Sequence, residues 1–195
     1  LHDTMAVFYS GDGGWRDIDQ QIGLALQKAG IPVVGVDYLR YFWHQRTPQE
    51  TADDLARILH KYQAEWGVKH VMLIGYSFGA DILPQSYSLL PPEDQAGIAQ
   101  ISLLGLSHQR DYVIHVAGWL GVGSDSTQDP TDDMKKIAPD LIQCIYGKTD
   151  DDDACQSQTG MGYELVGFDG DHHFDGDYAG VTKKIMLGLR TRLGN

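Results

Sequence analysis

The sequence has no run of 18 apolar residues, so no segment of it reads as a membrane-spanning helix. Cationic residues are scarce: 15 Lys and Arg against 27 Asp and Glu leave a net charge of −12. That balance argues against nucleic acid as a partner, because phosphate would be repelled, and it fits a cationic substrate group. Only two cysteines occur in 195 residues, Cys144 and Cys155. A structural metal site needs more ligands, and Cys-x-x-Cys is absent. The pair flanks an acidic loop and reads either as a disulfide closing it or as two buried thiols. The disulfide is preferred, and it would imply an oxidising compartment. Internal repeats, low-complexity tracts and linkers are missing too. Residues 1–195 therefore read as one domain, long enough to bury about 70% of its unfolded surface. Leu1-His2-Asp3-Thr4 does not resemble a signal peptide, so any targeting segment has been removed or was never present.

Apolar strand-like runs alternate with stretches of helical periodicity. Strands are expected over residues 5–10, 32–37, 68–75, 98–106, 111–118, 141–146 and 163–168. Between the first two, Ile18, Ile22, Leu26 and Ala29 recur at helical spacing, with Gly30 as the stop. Thr47-Pro48-Gln49-Glu50 is a capping box with Pro at the first helical position, and Leu55, Ile58, Leu59, Tyr62 and Trp66 give that helix an apolar face ending at Gly67. The helix after Ser77 should run to about Leu89, with Pro84 implying a kink or a short first segment. A short helix is expected near residues 134–137 in a polar, Gly-rich loop. The last helix carries Tyr178, Val181, Ile185 and Leu189 on one face. This alternation predicts a mostly parallel sheet of about seven strands, flanked by helices on both faces.

Gly75-Tyr76-Ser77-Phe78-Gly79 ends the third strand and opens a helix, which is the context of a nucleophile elbow. Ser77 would stand at a strained apex, and a Cβ at Gly75 or Gly79 would collide with neighbouring elements. A serine needs a base, and the base needs an orienting acid. In α/β-hydrolases these follow in the order Ser, Asp or Glu, His. Asp150 after the sixth strand is the first choice for the acid, with Asp151, Asp152 and Asp153 as competitors in a run that could otherwise be a solvated loop. His172 is preferred to His173 as the base. The backbone N–H groups of Asp12 (or Gly13) and Phe78 are the expected oxyanion donors. Trp15, Tyr41, Phe42 and Trp43 either line an apolar-chain pocket or pack in the core. Aspartates crowd His172 and His173, but their spacing does not match an EF-hand, and no phosphate-binding glycine motif occurs. Neither metal nor cofactor is expected.

Six stretches together resemble the bacterial virulence proteins VirJ and AcvB, over nearly the whole chain. They are Ser-Gly-Asp-Gly-Gly-Trp (10–15), Leu-Arg-Tyr-Phe-Trp (39–43), Gly-Tyr-Ser-Phe-Gly-Ala-Asp (75–81), Leu-Leu-Gly-Leu-Ser (103–107), Cys-Ile-Tyr-Gly (144–147) and His-His-Phe-Asp-Gly-Asp-Tyr (172–178). The resemblance implies an α/β-hydrolase fold with little or no cap, export to the periplasm of Gram-negative bacteria, and a Cys144–Cys155 disulfide. It also implies an activity, since AcvB-like members hydrolyse the aminoacyl ester of lysyl-phosphatidylglycerol. VirJ members are linked to type IV secretion components. On this reading Asp151, Asp152 or Asp153 would contact the lysyl ammonium while Ser77 attacks the ester, and Tyr41 and Trp43 would help to bind the lipid substrate.

Overall fold

Strand β1 (Thr4–Tyr9) has no polar face. Met5, Val7 and Tyr9 pack on one side, Ala6 and Phe8 on the other, and all five are buried. Such strands need helices on both faces of the sheet. The computed structural model, which describes residues 1, 3–112 and 129–194, has that arrangement. After β1 come α1 (Asp17–Lys28), β2 (Val33–Val36), α2 (Tyr38–Tyr41), α3 (Pro48–Trp66), β3 (His70–Tyr76), α4 (Phe78–Ser88), α5 (Pro92–Gln95) and β4 (Ile98–Leu104). Then follow α6 (Pro130–Met134), β5 (Ile142–Gly147), β6 (Glu164–Phe168) and α7 (Tyr178–Arg192). The strands form one sheet in the order β2-β1-β3-β4-β5-β6, every neighbouring pair parallel.

Two apolar layers hold the helices to the sheet. Ile22 and Leu26 of α1 join Val181, Ile185 and Leu189 of α7 over Ala6, Phe8, Met72 and Ile74. On the opposite face Leu55 and Leu59 of α3 and Ile82 and Leu83 of α4 cover Val7, Val71 and Leu73. Burying each such side chain contributes about 1.5–3 kcal/mol. The start of α3 is fixed by the expected capping box. Thr47 Oγ1 accepts from Glu50 N–H at 3.1 Å, and Glu50 Oε2 accepts from Thr47 N–H at 2.7 Å.

Several expectations need correction. The sheet has six strands among the described residues rather than about seven. The strand expected over residues 111–118 is absent at Asp111 and Tyr112, and the rest of it lies outside the described residues. The short helix before β5 lies at Pro130–Met134 rather than at 134–137, because Asp129 caps it by accepting from Thr131 N–H at 2.9 Å. Helix α4 continues through Pro84 to Ser88, so of the two expectations at Pro84 the short first segment is not seen. Proline costs that helix one backbone hydrogen bond, but Pro84 sits among buried neighbours on α4, where tertiary packing offsets the loss. Among the described residues no cap domain covers the carboxyl edge of the sheet, and no helix is long and apolar enough to cross a membrane.

The order of the strands locates the site. The chain moves outward from β1 to β2, then crosses back to β3, so the loops after β1 and β3 diverge at the carboxyl edge. Ligands in open α/β sheets bind at such a switch point.

Candidate active site

Ser77 joins β3 to α4 with φ 54° and ψ −122°, a conformation sparsely populated by residues with a side chain. Strain of this kind costs of order 1–3 kcal/mol and persists only where the surroundings enforce it. Here Ser77 N–H donates to Leu104 O at 2.8 Å, which ties the apex to the end of β4. The flanking glycines are required by close approach. A Cβ at Gly75 would lie 2.4 Å from Gly79 O, and one at Gly79 would lie 2.3 Å from Tyr9 O. The elbow therefore packs against β1 backbone to backbone, and the hydroxyl is lifted clear of the sheet.

Two further loops converge on that hydroxyl. The loop after β5 carries Asp150, and the loop after β6 carries His172. They are stitched together by Lys148 N–H to Phe168 O at 2.9 Å and Thr149 N–H to Gly170 O at 3.0 Å. His172 Nε2 lies 2.9 Å from Ser77 Oγ, and His172 Nδ1 lies 2.7 Å from Asp150 Oδ2. With the ring proton on Nδ1, donated to Asp150, Nε2 keeps its lone pair for the Ser77 proton. The imidazole is seated over Gly105, where a Cβ would come within 2.7 Å of His172 Cε1. His173 is turned elsewhere: its Nδ1 lies 3.1 Å from the Tyr76 hydroxyl. Sequence order left the two histidines open, and the geometry brings His172 alone to Ser77.

The Gly11-Asp12-Gly13-Gly14 loop after β1 packs against the elbow, since a Cβ at Gly11 would lie 3.5 Å from Ser77 Cβ. Among the described residues the backbone N–H groups of Asp12 and Phe78 have no backbone partner. Phe78 is also the first residue of α4, whose N-terminus carries positive partial charge.

Other sequence candidates are placed differently. Asp151 and Asp152 are exposed and Asp153 is buried, its Oδ1 accepting from Cys155 N–H at 2.7 Å. Burial pushes Asp153 up to about 7. Tyr41 is tied to Asp54 through its hydroxyl, Phe42 is wholly buried, and Trp43 is 56% exposed. None of these six lines the cavity that opens beside Ser77. That cavity, about 630 Å³, is walled by the 11–14 loop, Trp15, the first turn of α1, Tyr76, His172, His173 and Tyr178. Of the aromatic residues first considered, only Trp15 reaches it. Cys144 and Cys155 form a disulfide that closes the loop holding Asp150.

Sequence reasoning missed Asp81. It is buried on the first turns of α4, where Ser107 N–H donates to its Oδ1 at 2.8 Å and Ser107 Oγ lies 2.9 Å from its Oδ2. Burial, opposed by these hydrogen bonds, pushes Asp81 up to about 8. Its signals in the sequence were its place at the end of the 75–81 stretch and its being the one charged residue of α4.

Among solved structures, Est1E from Butyrivibrio proteoclasticus is 12% identical, with 98% of this chain and 89% of that one aligned and a TM-score of 0.65. An esterase from Exiguobacterium antarcticum is 16% identical over 96% and 92% of the two chains, TM-score 0.65. An α/β serine hydrolase without a lid from Xanthomonas campestris is 17% identical over 97% and 82%, TM-score 0.60. At these identities the likeness shows the fold, which is that of the α/β-hydrolases. No curated protein sequence matches the chain. The family model for the bacterial virulence protein VirJ matches residues 3–193. With nearly every residue inside that match, the chain belongs to the VirJ family of bacterial virulence proteins.

Proposed function

We propose that the protein is a serine esterase that uses Ser77, His172 and Asp150 as a triad. The observation that carries this reading is the unbroken hydrogen-bonded line from Asp150 through His172 to a serine held at a strained elbow. Ser77 Oγ attacks the ester carbonyl carbon as His172 Nε2 takes its proton. Asp150 holds the ring and stabilises the imidazolium. The oxyanion forms beside the Asp12 and Phe78 N–H groups, and loss of one such donor typically costs ~10²–10³ in rate. As the tetrahedral adduct collapses, the carbonyl–oxygen bond to the leaving alcohol breaks, and His172 returns the proton to that oxygen. Water, deprotonated by His172, then attacks the acyl-enzyme and releases the acid with Ser77 restored.

For the substrate, we infer the aminoacyl ester of lysyl-phosphatidylglycerol, met in the periplasm. Family membership supports this reading, as does the cavity wall, where Asp12, Asp17 and Asp19 outnumber Arg16. Phosphatidylglycerol would be the leaving alcohol and lysine the acid released. Binding of type IV secretion components would not by itself need an aligned triad, so it is the second reading. The test is lysine release from lysyl-phosphatidylglycerol in mixed micelles. Release by the protein and none by Ser77→Ala supports the proposal. Cleavage of simple esters but not of this lipid would keep the esterase and remove the substrate.

A further inference from the structure

Past Leu104 the chain leaves the sheet, and all three triad residues are fastened to the turn it makes there. The β4 ladder ends at Leu104, opposite Tyr76 of β3 and Ile145 of β5. Leu104 O accepts from Ser77 N–H at 2.8 Å. Gly105, at φ +61°, is the floor under the His172 ring, and its N–H donates to Ile145 O at 3.0 Å. Leu106 O accepts from Ala154 N–H at 2.7 Å, which ties down the loop that carries Asp150. A shift of this turn would move the base and its acid relative to the nucleophile.

A buried side chain of α4 grips the end of the turn. Asp81 Oδ1 accepts from Ser107 N–H at 2.8 Å, and Asp81 Oδ2 lies 2.9 Å from Ser107 Oγ. Bonds from both oxygens of one carboxyl fix the orientation of Ser107 as well as its position. Asp81 stands one helical turn after Ser77, and its own N–H donates to Ser77 O at 3.1 Å. The clamp therefore runs from the helix of the nucleophile to the turn beneath the base. Asp81 does not line the cavity beside Ser77, so it acts on the reaction only through the residues it holds.

We propose that Asp81 is a positioning residue of the triad, clamping Ser107 so that the 104–107 turn holds His172 and the Asp150 loop in register with Ser77. The proposal rests on the esterase reading and deepens it. Burial pushes Asp81 up to about 8, so at pH 7 most of it is neutral, and an asparagine amide can make both bonds in its place. Displacing a catalytic group by ~1 Å can cost ~10² in rate.

Hydrolysis of a chromogenic ester at pH 7 compares Asp81→Leu, which keeps the shape without either bond, with Asp81→Asn. The expected result is a kcat lower by ~10² in Asp81→Leu at a KM within ~3-fold of the parent, and a kcat within ~3-fold of the parent in Asp81→Asn. Ile185→Ala, a core variant of α7, controls for lost stability and should keep its kcat. A second readout needs no turnover. The downfield proton resonance of His172 Nδ1–H, identified by its loss in His172→Ala, should broaden in Asp81→Leu and persist in Asp81→Asn. If Asp81→Leu does not fold, Ser107→Ala removes one of the two bonds and should lower kcat by ~5–10-fold at unchanged KM. Parent-like kcat in Asp81→Leu, or in Ser107→Ala where that variant stands in, overturns the proposal. So does an equal loss in Asp81→Asn or in Ile185→Ala. A parent protein that hydrolyses no ester removes the esterase reading alone, and an unchanged resonance in Asp81→Leu then overturns the clamp.

Discussion

Asp81 gives the sharpest quantitative prediction, because burial raises it to about 8 and one arrangement of the Ser107 hydrogen suits its neutral form. Ser107 Oγ has one hydrogen and three polar neighbours: Asp81 Oδ2 at 2.9 Å, Gln109 O at 2.8 Å and Gln109 N–H at 3.2 Å. Gln109 N–H can only donate and Gln109 O can only accept. If Ser107 gives its hydrogen to Gln109 O, Asp81 Oδ2 must supply the hydrogen for its own bond to Ser107. Asp81 is then a neutral carboxylic acid, which agrees with its rise to about 8 by burial. A folded-state value raised above the unfolded value of about 3.9 means that only the unfolded chain ionises in between, so stability falls as pH rises from about 4 to about 8. Each unit in that window costs about 1.4 kcal/mol, or about 4 kcal/mol between pH 5 and pH 8. Asp81→Asn copies the protonated form, with an oxygen to accept from Ser107 N–H and an N–H to donate to Ser107 Oγ. It should exceed the parent by about 1–2 kcal/mol at pH 5 and by about 4–5 kcal/mol at pH 8. Urea unfolding of both proteins at pH 5, 6, 7 and 8 reads the difference directly, as a midpoint separation of about 2 M at the upper end for a slope of ~2 kcal/mol/M. Parallel pH curves for the two proteins, or a variant that loses ground as pH rises, would refute the reasoning.

His172→Ala should lower ester hydrolysis by ~10³ or more, whereas His173→Ala should stay within ~10-fold of the parent; kcat with a chromogenic ester separates them. Gly105→Ala places a Cβ where the His172 ring sits, at a backbone φ of +61°, so kcat should fall by ~10² while the thermal midpoint falls only modestly. Reduction of Cys144–Cys155 should cost about 2–4 kcal/mol, read by urea unfolding with and without reductant. Activity should fall in step, because the freed loop carries Asp150.

Much of the architecture was legible because it depends on local rules. Alternating buried runs, the Thr47–Glu50 capping box and the Gly75–Gly79 frame around Ser77 each follow from contacts within a few residues. The order of Ser77, Asp150 and His172 was legible because strand-end loops of a parallel sheet share one edge. What escaped depends on contacts between distant segments. His172 and His173 are neighbours in sequence, and their positions are separated by the Tyr76 hydroxyl beside His173 and by Gly105, Asp150 and Ser77 around His172. The run at residues 150–153 reads as one acidic loop, yet Asp150 faces the imidazole, Asp151 and Asp152 face solvent, and Asp153 turns inward to cap the Cys155 turn. Tyr41 and Trp43 looked like pocket residues because aromatics on a strand-end loop often are, but Asp54 captures the Tyr41 hydroxyl on the α3 side.

The most direct test of the central claim is reaction of the folded protein with a fluorophosphonate, followed by intact mass and peptide mapping. The account predicts a single adduct, on Ser77, absent from Ser77→Ala and from His172→Ala. A folded protein that takes no label, or labels at another serine, would contradict it.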